Sequence, residues 1–163
     1  MTRKLSVQAK VSTLALAAAL AAGPSPAAAQ SFQGTLNGAT GATVDQSVAG
    51  QTNVTVNQSQ AVINWTATNA PSGGVIVFQP DGTVATFSGA SDFAVLNRVA
   101  PGTAGNAIYM GGNINSLVNG NVGGTVYFYS PNGIVIGQNA AINVGSLGLT
   151  TLPITDDGNG NWM

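Results

Sequence analysis

Few residues of this chain can do chemistry. Its five acids are all Asp (Asp45, Asp81, Asp92, Asp156 and Asp157), and Glu, His and Cys are absent from all 163 residues. Ser-His-Asp and Cys-His nucleophiles, and zinc sites built on imidazole or thiolate, cannot be assembled from that inventory. Paired carboxylates are the remaining acid–base device, and Asp81 with Asp92 is the pair considered for it. Beyond the first ten residues the only cation is Arg98, so such a pair has no Lys or His to tune it. Asp156-Asp157-Gly158-Asn159-Gly160-Asn161 offers oxygens like those of a calcium loop, but an EF-hand loop closes on a bidentate Glu. The expectation is no catalytic residue, no metal site and no cofactor.

The elements that must position any site begin after a leader. Arg3, Lys4 and Lys10 form a basic head, and Val11 to Ala22 is apolar apart from Ser12 and Thr13. Gly23-Pro24-Ser25-Pro26 ends the run, and Ala27-Ala28-Ala29 gives a small-residue cleavage site before Gln30. The run falls short of the ~20 apolar residues of a spanning helix. Residues 1–29 therefore read as a bacterial Sec-type signal peptide cleaved after Ala29. What remains carries Arg98 against five Asp, a net charge of −4. Such a chain cannot neutralise a run of phosphates, which excludes nucleic acid as a partner. Without Cys it also has no disulfides, so backbone pairing and packing must hold it together.

Short runs of Val, Ile, Thr, Phe and Tyr follow, bounded by Gly, Asn, Ser or Pro. They predict strands over Asn53–Gln58, Ala61–Trp65, Val75–Phe78, Thr83–Phe87, Phe93–Val99, Thr125–Tyr129, Ile134–Ile136 and Ala141–Val144. No window of about eleven residues keeps helical spacing without a Gly or Pro, so the class is all-β. Asn53 to Asn57 alternates and suits one wet face, whereas Val75-Ile76-Val77-Phe78 suits a strand covered on both sides. The strands are too short for a membrane barrel, which wants ~9–11 residues each. A sandwich fits the strand count. Asn and Gly at the strand ends favour stacked turns instead, because an Asn amide can donate to the level on one side and accept from the other. Asn121-Val122-Gly123 recurs as Asn143-Val144-Gly145, 22 residues on, and is read as a suggestive repeat of one level.

Four blocks carry a family resemblance in order: Ala61-Val62-Ile63-Asn64-Trp65, Val75 to Gln79, Val95-Leu96-Asn97-Arg98-Val99, and Gly124 to Gly148. Together they resemble the amino-terminal secretion domain of filamentous-haemagglutinin-like exoproteins of two-partner secretion systems, across roughly Val56 to Thr151. The resemblance implies a right-handed, single-stranded parallel β-helix with amino-terminal capping strands. It implies recognition, in an unfolded or extended state, by an outer-membrane transporter of the Omp85 type, and passage through the periplasm to the cell surface or medium. The family's secretion motif, usually Asn-Pro-Asn-Gly or Asn-Pro-Asn-Leu, falls on Ser130-Pro131-Asn132-Gly133-Ile134. There Pro131 presets φ, Asn132 is expected to take a positive φ, and the Ser130 hydroxyl to cap the turn.

The division that follows is a leader over 1–29, a secretion domain over 30–152 and a flexible, solvated tail over 153–163, with a repetitive stalk lost beyond it. An adhesin-like exoprotein also implies host or neighbouring-cell surface receptors. Two alternatives stay open: a small surface or matrix protein assembling through its exposed edge, and the front of a contact-dependent growth inhibition toxin. Six further residues are candidate structural positions. Asn64 and Trp65 suit the core near the cap, and Asn143 and Gly145 suit a corner. Asn97 and Arg98 come from the resemblance, with Arg98 either contacting the transporter or satisfying strand-end carbonyls and an Asp, for which Asp92 and Asp81 are the candidates.

Overall fold

β-branched and aromatic side chains crowd a helix at χ1 but stand clear of one another on a pleat, and segments rich in them form strands here. The computed structural model describes residues 30–103 and 105–162, with no helix among them, and the expected signal peptide lies outside the described residues. The strands are β1 (Gly34–Thr40), β2 (Ala42–Asp45), β3 (Gln51–Val56), β4 (Gln60–Ala67), β5 (Val75–Gln79), β6 (Val84–Gly89) and β7 (Ala94–Pro101). They continue as β8 (Ala107–Met110), β9 (Asn113–Val118), β10 (Asn121–Val122), β11 (Thr125–Tyr129), β12 (Ile134–Ile136), β13 (Ile142–Asn143) and β14 (Ser146–Thr150). All eight segments expected from composition are strands, with ends displaced by no more than two residues.

Three sheets result. Sheet A runs β1-β4-β7-β11-β14, sheet B runs β10-β9-β6-β3-β2 with β13 also on β9, and sheet C runs β12-β8-β5. From β3 onward the chain visits sheets B, A and C in rotation, and the strands that meet within a sheet on successive rounds are parallel. Antiparallel pairs occur where β1 joins β4, β2 joins β3, and β10 folds back on β9. That last hairpin turns at Asn119-Gly120, whose φ values of 50° and 79° are those of the two-residue turn an Asn-Gly pair favours.

The 22-residue repeat does not mark equivalent positions. Asn121 lies in the hairpin, whereas Asn143 pairs in parallel with Asn115, and Thr125 sits beside Ser146, 21 residues on.

The core lies between the sheets. Ile63, Trp65, Val95 and Phe128 enter it from sheet A, Val54, Phe87 and Ile114 from sheet B, and Ile76, Phe78 and Ile108 from sheet C. Phe32, just ahead of β1, sits inside it against four other aromatics. Its ring stacks on Phe78 at 4.9 Å and meets Trp65 and Phe128 edge-on at 5.5 and 5.9 Å, with Phe87 at 6.3 Å. At ~25 cal/mol per Å² and roughly 150–250 Å² each, these rings dominate the burial energy. β5 departs from expectation: Ile76 and Phe78 are buried, but Val75 and Val77 are half-buried. A continuous β-branched run here reflects preference for the pleat as much as two-sided cover.

Candidate functional site

β11 ends on sheet A at Tyr129 and β12 begins on sheet C at Ile134, so residues 130–133 must turn the chain between sheets. The Gly133 N–H donates to the Ser130 carbonyl at 3.2 Å, closing a four-residue turn, and the Ser130 N–H donates to the Thr150 carbonyl at 3.1 Å. The positive φ falls on Gly133, at 108°, and not on Asn132 as expected. A type I turn explains the correction, since it keeps both central residues at negative φ and favours Ser first, Pro second and Gly fourth. Nor does Ser130 cap through its hydroxyl: that oxygen is buried and has no hydrogen-bond partner. Pro131 and Asn132 project into solvent, while Ile134 packs on the core and pairs with Ile108.

The corner adjoins an exposed strand edge. Ile134, Leu149, Thr150 and Thr151 line a shallow depression beside it. Leu147 and Leu149 of β14 stand in register with the core residues Val126 and Phe128, yet they are 38% and 43% exposed. On β12, Val135 and Ile136 are similarly exposed, at 41% and 37%. β14 and β12 are the outermost strands of sheets A and C, so backbone N–H and C=O groups face outward along them.

The other candidate residues lie elsewhere. Trp65 is in the core, and its Nε1–H donates to Asn97 Oδ1 at 3.3 Å. Asn97 Nδ2 donates in turn to the Tyr127 carbonyl at 3.2 Å, so this amide accepts from β4 and donates to β11. That is the bridging expected of a stacked Asn, found in mid-strand and not in a turn. Asn64, half-buried, is beside Arg98 in the β4–β7 register. Arg98 pairs neither with Asp92 nor with Asp81. Its Nη1 donates to Asp156 Oδ1 at 2.9 Å and its Nη2 to the Ile154 carbonyl at 2.6 Å. Asn143 is exposed on β13, and Gly145 turns the chain toward β14 so tightly that an added Cβ would lie 2.6 Å from the Gly124 carbonyl oxygen.

The carboxylates do not converge. Asp81 and Asp92 flank opposite ends of β6, roughly 20 Å apart at ~3.3 Å per residue, because the intervening strand is extended. Asp81 accepts from the Tyr109 hydroxyl at 2.7 Å and from Asn139 Nδ2 at 3.1 Å; those bonds, Tyr109 first, hold its carboxyl below the usual range, and the bond to Asp81 raises the phenol of Tyr109. Asp157 is lowered likewise, first by the Asn161 side-chain amide and then by the Asn159 N–H, so it closes its own loop. Composition did not single out β1, β2, β8, β9, β10 or β14, nor the Asp81–Tyr109–Asn139 cluster, nor the partners of Trp162. The hairpin at β10 has a local signal, the Asn119-Gly120 pair.

Strand edges and a protruding corner define an all-β protein whose conspicuous surfaces are backbone and shape. The chain belongs to the TPS secretion domain family, whose model matches residues 7–163. It is the amino-terminal, secretion-targeting domain of a two-partner secretion exoprotein; the family is a targeting and not a catalytic one, and it implies a partner outer-membrane transporter and export to the cell surface or medium. No curated protein and no solved structure matches it.

Proposed function

We propose that the corner Ser130-Pro131-Asn132-Gly133-Ile134 is where the cognate transporter recognises this domain, and that the exoprotein is adhesin-like. One observation carries the reading: Pro131 and Asn132 are solvent-exposed at a tight turn whose backbone is fixed by the Gly133–Ser130 bond, beside the half-exposed β12 and β14. A short backbone-defined epitope of that kind suits recognition of a segment before the rest of the chain has packed. The architecture proposed with it is a right-handed parallel β-helix closed at its amino end by β1 and β2. The rotation of the chain through three parallel sheets and the antiparallel pairing of β1 and β2 support it. A signal peptide over 1–29, cleaved after Ala29, fits the burial of Ser31 and Phe32 immediately after that point. Asn132→Ala tests the recognition role. Because Asn132 is exposed, stability should change by under about 0.5 kcal/mol. Export to the periplasm should continue while release from the cell falls several-fold, measured by fractionation; unchanged release removes the role.

The exposure of Leu147 and Leu149 favours a second reading, self-assembly through the β14 edge. Concentration-dependent oligomers in sedimentation, lost in Leu149→Lys, are its signature.

A further inference from the structure

Side chains alternate across a strand, so Val62 of β4 and Leu96 of β7 point away from the core that their neighbours Ile63 and Val95 join. Both are nevertheless buried, at 2% and 0% exposure. They share a lateral row with Tyr127 of β11 and Gly148 of β14 on the outer face of sheet A. Residues 154–162, which composition alone reads as a solvated tail, are anchored on this face.

Hydrogen bonds and ring contact come from β4, β7 and β11, and β1 adds a packing contact. On β7, the Arg98 guanidinium holds the Asp156 carboxylate and the Ile154 carbonyl, at 2.9 and 2.6 Å. On β11, the Tyr127 ring meets the Trp162 indole edge-on at 4.9 Å, and it lies where a side chain on Gly148 would be, 2.1 Å from a built Cβ. On β4, the Ala61 carbonyl accepts from Trp162 Nε1–H at 3.1 Å, and Gln60 Oε1 accepts from the Trp162 backbone N–H at 2.9 Å. Gly160, buried, rests against Thr40 of β1.

We propose that the outer face of sheet A is a binding site for an extended peptide with a carboxylate and, six residues later, a tryptophan, and that residues 154–162 of the same chain are its resident occupant. Each feature of the occupant meets a complementary group: the acid meets the lone cation of the described residues, and the indole meets an aromatic edge and a backbone acceptor. The site exists only after β4, β7 and β11 have paired, so its filling reports a completed sheet. Tethering supplies the occupant at an effective concentration in the millimolar range, which favours it over free competitors.

The test uses the full chain with Asp156→Asn and Trp162→Ala, which vacates the site, and a fluorescent synthetic peptide of residues 152–163 as probe. The vacated chain should bind the peptide, the unaltered chain should bind it at least about tenfold more weakly, and adding Arg98→Gln to the vacated chain should weaken binding by about tenfold or more. Equal binding to both chains, absence of binding by a folded vacated chain, or indifference to Arg98→Gln overturns the proposal. Amide exchange in the unaltered chain is independent of any variant's folding: the Trp162 N–H should be protected, and exchange at the free-peptide rate overturns the assignment.

Discussion

The two ends of the strand stack handle the same difficulty differently. A parallel sheet leaves a row of backbone donors and acceptors at each outer strand. At the amino end these are used: β1 pairs along β4 and β2 along β3 in antiparallel fashion. The edge of β5 receives the Gln33 N–H on the Phe78 carbonyl at 2.7 Å and Asn69 Nδ2 on the Val77 carbonyl at 2.8 Å. Phe32 then plugs the interior, with its N–H on Thr52 Oγ1 at 3.1 Å and its carbonyl accepting from Gln46 Nε2 at 3.0 Å. Around β12 and β14 there is no such cover among the described residues, and aliphatic side chains that continue the core rows stay half-exposed. Only β9 is partly screened on that side, its edge shared between β13 and the hairpin strand β10. One end is finished as a core. The other keeps the backbone and apolar groups with which a partner or further strand could pair.

Truncations at the two ends should separate them. Phe32→Ala removes a fully buried ring in contact with four others and should cost about 3–5 kcal/mol in denaturant unfolding. Leu149→Ala, in the row of Phe128 but 43% exposed, should cost roughly 1 kcal/mol, below the ~2–5 kcal/mol of a fully buried Leu. Equal costs would mean that the β14 end is as closed as the other. The smallest effect links the rounds: Asp81, after β5, accepts from Tyr109 on β8 and Asn139 after β12. Its depressed pKa means that the stability it contributes is present above about pH 4 and is lost as pH falls through its folded-state value. The melting temperature should therefore drop slightly between pH 5 and pH 3, and less in Asp81→Asn.

Much of the fold was legible because local chemistry and fold agree. β-branched runs such as Thr125–Tyr129 favour the strand locally, and Ser130-Pro131-Asn132-Gly133 favours a turn. The family, too, was legible, in the ordered blocks from Ala61 to Gly148. Strands such as β9 and β14 were harder, since Asn113-Ile114-Asn115-Ser116 and Ser146-Leu147-Gly148 carry little β-propensity and owe their state to the neighbour they pair with. The partner of Arg98 could not be read at all. Asp156 lies 58 residues away, while the nearer candidates lie elsewhere, Asp81 held by Tyr109 and Asn139.

By itself the sequence determined the material: strand-forming runs, turn residues at fixed offsets, and an inventory without His, Cys or Glu. Those depend on side-chain volume, dihedral preference and acidity, which each residue carries with it. Only the tertiary structure decided which rows coincide, that Asn97 joins Trp65 to Tyr127, that Trp162 returns to β4, and that one end is plugged while β14 stands open. Those outcomes depend on register and on contacts between residues far apart in the chain, and a register exists only once the strands have paired.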